Sequence, residues 1–170
     1  NGCSETASVT ISENLAVTAT ITSSTDVSCN GGSDGEATVT AGGGTGTYTY
    51  LWDDPAGQTT ATATGLTAGT YNVVVTDGNG CSETASVTIN ENPAVTATIS
   101  SSTDVTCNGD CDGSATAIGN GGDGSYTYDW SNGETTASIS GLCAGTYSVT
   151  VYDGNSCSAE TSVTINENPA

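Results

Sequence analysis

The string Asn-Gly-Cys-Ser-Glu-Thr-Ala-Ser-Val-Thr-Ile at 1–11 returns unchanged at 79–89, and a third version, Asn-Ser-Cys-Ser-Ala-Glu-Thr-Ser-Val-Thr-Ile, occupies 155–165. Between these copies, Ala16–Gly31 recurs almost residue for residue as Ala94–Gly109. Cys29 therefore reappears as Cys107 and Cys81 as Cys157, at periods of 78 and 76 residues. Self-similarity at such a period means one supersecondary unit used repeatedly, and it excludes a single large core. The expected organisation is a repeat at 16–93, a second at 94–170, and a C-terminal strand fragment of a preceding repeat at 1–15. A chain that starts inside its own repeat reads as a segment of an array.

Within a repeat the local signal is strand after strand. Runs rich in Val, Ile, Thr and Tyr with period-two alternation predict strands near 16–22, 36–41, 47–52, 59–63, 70–76 and 82–89, with a short extra strand near 26–29. Turn clusters such as Gly-Gly-Ser-Asp-Gly and Asp-Gly-Asn-Gly separate them, and no segment carries a helical period. Short strands punctuated by turns define an all-β class, with tandem antiparallel β-sandwiches of about seven strands each.

Tyr48, Tyr50 and Trp52 alternate along one strand, as do Tyr126, Tyr128 and Trp130, so each set shares a sheet face. Trp52 and Trp130 are the expected core anchors; a sugar-stacking platform is the weaker reading of the same spacing. Gly65-Leu66-Thr67-Ala68-Gly69-Thr70-Tyr71 recurs as Gly141-Leu142-Cys143-Ala144-Gly145-Thr146-Tyr147. A Leu-x-x-Gly-x-Tyr turn leading into a Val-rich strand resembles the tyrosine corner of immunoglobulin-like sandwiches and marks Tyr71 and Tyr147 as core. Together with the Asp26–Gly35 run, the Tyr-Thr-Tyr-x-Trp strand and the Asp77–Cys81 hairpin, this corner resembles the SprB-type repeat of very large surface adhesins of Bacteroidota. The resemblance covers both repeats and the leading fragment. It implies a secreted, extracellular cell-surface array used in adhesion or gliding motility.

Composition narrows the function from another side. The chain has 19 Asp and Glu against no Lys, Arg or His, for a formal charge of -19. With no cation to neutralise phosphate, nucleic acid is excluded as a partner, and anionic membrane surfaces offer no attraction. No run approaches the length of a membrane span, so no direct insertion is expected. Histidine-based triads and lysine Schiff bases are also unavailable, and an enzyme is not the reading.

Seven cysteines without histidine favour disulfides over zinc and place the chain in an oxidising compartment. The first repeat holds only Cys29 and Cys81, so these pair if the repeat is closed. Their counterparts Cys107 and Cys157 then pair, which leaves Cys111 with Cys143 and sends Cys3 to a partner in the preceding repeat. A crosslink over 52 residues contributes about 4 kcal/mol by loop entropy. A repeat of this size, short of large apolar side chains, needs such a staple.

The carboxylates admit two readings. Asp-Gly and Asn-Gly at strand ends are turn chemistry. The functional reading is calcium, a hard cation that prefers oxygen ligands. Asn108, Asp110 and Asp112, followed by Gly113, resemble the opening of a calcium loop, although Gly119 stands where the bidentate Glu would be needed. The first repeat has Asn30, Gly32 and Asp34 there and so loses one carboxylate. The neighbouring acids Asp53 and Asp54 could suggest a glycosidase pair, but the second repeat has Ser131 and Asn132 in that region.

Asn90–Ala94 joins the repeats, a short proline-containing linker unlike a Gly/Ser tether. An odd strand count would put a sandwich's termini at opposite poles and join repeats end to end. The expected function is thus a structural, non-catalytic segment acting as a stalk or fibre body, with neighbouring repeats of the same chain as first partners. The alternatives are a calcium- or glycan-binding module and a fibre subunit that associates laterally with like chains.

Overall fold

The computed structural model describes residues 1–167. Twelve strands follow one another: β1 (Thr18–Thr25), β2 (Gly35–Gly42), β3 (Tyr48–Trp52), β4 (Thr62–Leu66), β5 (Gly69–Asp77), β6 (Ser82–Ile89), β7 (Thr96–Thr103), β8 (Gly113–Asn120), β9 (Tyr126–Trp130), β10 (Ser138–Leu142), β11 (Gly145–Asp153) and β12 (Ser158–Ile165). Each repeat makes two three-stranded antiparallel sheets, β1-β2-β4 with β3-β5-β6 and β7-β8-β10 with β9-β11-β12. Six strands per repeat replace the expected seven, and the parity argument for end-to-end joining loses its premise. The extra strand expected near 26–29 reduces to one isolated parallel bridge between Val27 and Glu91.

The chain divides into two compact units whose borders differ from the repeat borders. The first comprises 1–24, 36–64 and 70–88; the second comprises 25–35, 65–69 and 89–170. The loop carrying Cys29 thus belongs to the second unit although it lies in the first sequence repeat.

Alternation produces the cores. In β5, Tyr71, Val73, Val75 and Asp77 are buried while the residues between them face outward or are half-exposed. Trp52 pairs with Val73, and Trp130 pairs with Val149 in the same register one period later. Trp130 is 2% exposed and packs with Val105, Ala115, Ala117, Ile139, Leu142, Val149, Val151 and Ile165, drawn from both sheets. Each indole N–H finds a carbonyl: Trp52 Nε1 donates to Thr60 O at 3.0 Å and Trp130 Nε1 to Thr136 O at 2.9 Å. Tyr71 is buried; Tyr147 is half-buried, and its hydroxyl donates to Cys143 O at 3.1 Å. This bond back to upstream backbone is the tyrosine-corner arrangement.

Residues 1–15 form no strand, and Val9, Ile11 and Leu15 are exposed. The identical sequence is a strand in β6, in the same sheet as β5, and its near-copy is a strand in β12, paired with β11. Strand formation here follows the partner more than the sequence.

The disulfides depart from the expected pairing. Cys29 is bonded to Cys157, 128 residues away, while Cys81 and Cys107 are exposed thiols, as is Cys3. Cys111 is bonded to Cys143. The reason lies in where each cysteine is carried. Cys81 sits beside Leu15, Ala16 and Val17, the residues that lead into its repeat. Cys29 sits in a loop bonded to Asn90–Asn92, the residues that leave it. Cys157 lies beside Ala94 and Val95, which lead into the second repeat. One linker serves both as the trailing end of one repeat and the leading end of the next, so Cys29 meets Cys157.

Candidate functional site

The arrangement with the most shared chemistry in both repeats is a clasp on the chain leaving each one. In the first repeat, Val27 N donates to Asn90 O at 2.9 Å, and Asn90 N donates to Asp26 Oδ1 at 2.8 Å. Gly31 N donates to Glu91 Oε2 at 2.5 Å, and Asn30 Nδ2 donates to Asn92 O at 3.1 Å. The second repeat repeats the pattern: Val105 N to Asn166 O at 3.2 Å, Asn166 N to Asp104 Oδ1 at 2.8 Å, and Gly109 N to Glu167 Oε1 at 2.8 Å. Carboxylates receiving backbone N–H groups are charge-assisted acceptors, stronger than neutral ones.

The linker is also held from its far side. Gly122 N donates to Pro93 O at 2.8 Å. Gly121, at φ +77°, comes so close to Ala94 O that a Cβ there would lie 2.0 Å from it. Only glycine combines that backbone angle with that approach. Gly43 and Gly44 do the same for Leu15 and Ala16 in the first unit.

Two further carboxylates set the cysteines in place. Asp34 folds the Cys29 loop, accepting from Ser28 N at 3.1 Å and from Ser28 Oγ at 2.5 Å. Asp112 does the same at Thr106, with bonds of 2.9 and 2.5 Å. The hydroxyl bond from Ser28 or Thr106, then the backbone bond, holds each carboxyl below its ordinary value. In the hairpins, Asp77 accepts from Cys81 N, Asn79 N and Thr45 N, and Asp153 accepts from Cys157 N, Asn155 N and Asp123 N. Desolvation pushes Asp77 up, but donation from Cys81, Asn79 and Thr45 outweighs it and leaves the carboxyl below its usual value.

Asn108, Asp110 and Asp112, the residues expected to bind calcium, share one exposed loop. Asp112 is turned onto Thr106, Asp110 N donates to Cys107 O at 3.1 Å, and Asn108 lies in the same exposed loop. Among the described residues, no three carboxylate, cysteine or histidine groups converge into a metal cage. The Asp112 carboxylate folds the turn that presents Cys107.

Asp53 ties the end of β3 to β5, and Asp54 folds the turn that follows it. Asp53 accepts from Asn72 N and Nδ2, both at 2.8 Å, and these bonds lower its pKa. Burial raises Asp54, but bonds from Gln58 and Ala56 prevail and leave it lowered too.

The clasp was not foreseen from the sequence. Its signal was present in the exact return of Asp26 as Asp104 and of Asn90-Glu91-Asn92-Pro93 as 166–169. Chain-leaving segments that must only be flexible have no reason to keep such residues.

Paired three-stranded sheets around a buried Trp, with a tyrosine corner, define tandem immunoglobulin-like domains. The family model for the SprB repeat matches the chain twice, at residues 21–57 and 99–135. Both matches include the cysteine loop and the Tyr-Thr-Tyr-x-Trp strand. No curated protein matches the chain. Among solved structures it is similar to the three N-terminal domains of the Hoc outer capsid protein of bacteriophage RB49, at 22% identity and a TM-score of 0.51. That match covers 89% of this chain, which spans 58% of the Hoc structure. Weaker likenesses reach the fibronectin(III)-like modules of Clostridium thermocellum CbhA (19% identity, TM-score 0.37, covering 88% of this chain and 94% of that one). Another reaches surface layer protein SbsC domains 4–9 (20%, 0.33, covering 93% and 31%).

Proposed function

We propose that this chain is a non-catalytic stalk segment of an extracellular surface adhesin or filament, whose task is to transmit position and force along an array. The observation that carries this reading is the linker. Residues 90–94 receive hydrogen bonds from the loop before them and the turn after them, and a disulfide closes over them. A tether for independent modules would leave that backbone to water. The SprB repeat, the disulfides and the cation-free composition support a cell-surface setting. The same features suit adhesion or gliding, with neighbouring repeats as immediate partners and like chains or surface glycans as further ones.

Negative-stain electron microscopy of the purified chain under non-reducing conditions tests the reading. Single-file particles of constant inter-repeat angle are expected. A broad distribution of angles would overturn the stalk, and bundled multi-strand fibres would transfer the assignment to a laterally assembling subunit.

A further inference from the structure

The three exposed thiols follow one rule. Cys29, in the clasp loop of one repeat, is bonded to Cys157, in the hairpin of the following repeat. Applied to the other repeat cysteines, that rule sends Cys107 forward to a hairpin one period beyond Cys157. It sends Cys81 backward to a clasp loop one period before Cys29. Cys3, equivalent to Cys81, looks backward in the same way. The thiols left over by the rule are Cys3, Cys81 and Cys107, the same three that the structure leaves unbonded and exposed.

We propose that Cys81 and Cys107 are the two halves of inter-repeat crosslinks, so that an array of these repeats is a disulfide ladder in which each clasp loop is bonded to the next repeat's hairpin. The partner is another copy of the same repeat. Geometry supports the assignment at both ends. Gly109 N and Val105 N hold the trailing segment at Glu167 and Asn166 as Gly31 N and Val27 N hold it at Glu91 and Asn90. Cys107 is therefore presented as Cys29 is. Cys81 N and Cys157 N are each fixed by the buried aspartate four residues earlier, so the hairpin thiols are presented alike. Each bond forms from two thiols, with two protons and two electrons passing to a disulfide donor such as oxidised glutathione, which leaves as two thiols.

The inference concerns connectivity and stands apart from the stalk reading, since a ladder can be present or absent whatever the particles look like. The purified 170-residue chain is denatured without reductant, alkylated, and cut on the N-terminal side of aspartate. The ladder predicts three alkylated cysteines and a crosslinked species joining 26–33 to 153–170. Closure within repeats predicts one alkylated cysteine, with 26–33 joined to 77–103 and 104–109 joined to 153–170; that result overturns the proposal. A second arm extends the chain with another copy of residues 95–170, which keeps the native linker length, and refolds it with oxidised glutathione. The ladder predicts that Cys107 becomes protected while the number of free thiols stays at three, because each added repeat closes one thiol and opens another. Continued alkylation of Cys107 in the extended, folded chain would refute the rule.

Discussion

Replacing Cys29 by Ser should convert a locked chain into an extensible one, and the length released reports which bond was cut. In the unmodified protein the Cα atoms of Cys29 and Cys157 are 5.6 Å apart, and unfolding anything between them cannot lengthen a molecule pulled from its termini. The bond encloses 128 residues of separation, of which the nested Cys111–Cys143 bond keeps 32, leaving about 96 to extend. At roughly 3.5 Å per extended residue, the variant gains about 340 Å on unfolding. Bonding of Cys29 to Cys81 would instead have enclosed 52 residues, and the same substitution would release only about 180 Å. Optical-tweezer extension of tethered single molecules resolves these values easily. A step near the shorter length, or none beyond the unmodified protein, refutes the pairing and with it the account of why Cys29 faces the following repeat. The same substitution removes a loop-entropy contribution of about 5 kcal/mol, so the thermal transition should also fall steeply.

Gly121→Ala places a Cβ 2.0 Å from Ala94 O at φ +77°, whereas Gly124→Ala meets nothing within 4 Å at φ +86°. Denaturant unfolding should show the first costing clearly more than the ~1–2 kcal/mol of positive-φ strain expected for the second. Trp130→Ala empties the centre of the second repeat's core and should cost about 3–5 kcal/mol in the same assay, read by far-UV circular dichroism because the remaining indole, Trp52, lies in the first unit. Asp112→Asn tests the pH dependence. The folded pKa of Asp112 is lowered, so its contribution is present above about pH 4 and is lost as pH falls through the folded value. The difference in melting temperature between the unmodified protein and this variant should therefore be largest near neutrality and shrink towards pH 2; a constant difference would show that Asp112 acts through shape alone. Because Asp112 and Asp34 are already occupied by hydroxyl and backbone donors, melting in millimolar calcium should match melting in EDTA at equal ionic strength, as read by calorimetry.

The sandwich was legible because its strands alternate and its aromatic strand and tyrosine turn recur at one period. Strand borders drifted where side chains rewrote a turn. The fourth strand begins at Thr62, later than the 59–63 expectation, because Gln58 bonds both Thr64 N and Thr64 O and is itself held by Asp54. The cysteine pairing was illegible for a deeper reason. Comparing copies gives which cysteines are equivalent, but assigning partners assumed that a repeat is a closed object. The clasp loop holds the chain that leaves, the hairpin cysteine lies beside the chain that arrives, and neither fact is local. Residues 1–11 make the same point: the string that is a strand at 82–89 is unpaired at the start of the chain.

In the stalk we propose, this placement decides how a chain so poor in large apolar side chains would carry load. A staple within each repeat would protect that repeat and leave every linker as a weak point, since the backbone at 90–94 would carry the whole force. Bonding each loop to the following hairpin puts the linker inside the closed ring instead. In a continuing array the rings overlap: the bond from Cys29 ends at Cys157, while the ring opened by Cys107 has already begun. Every stretch of backbone, linkers included, then lies within at least one ring. The cost is that a repeat's redox state is no longer its own. Reducing one bond loosens a linker and parts of two repeats, so extension under a reductant should proceed in steps that each involve neighbouring repeats. Steps confined to single repeats would mean that the rings do not overlap.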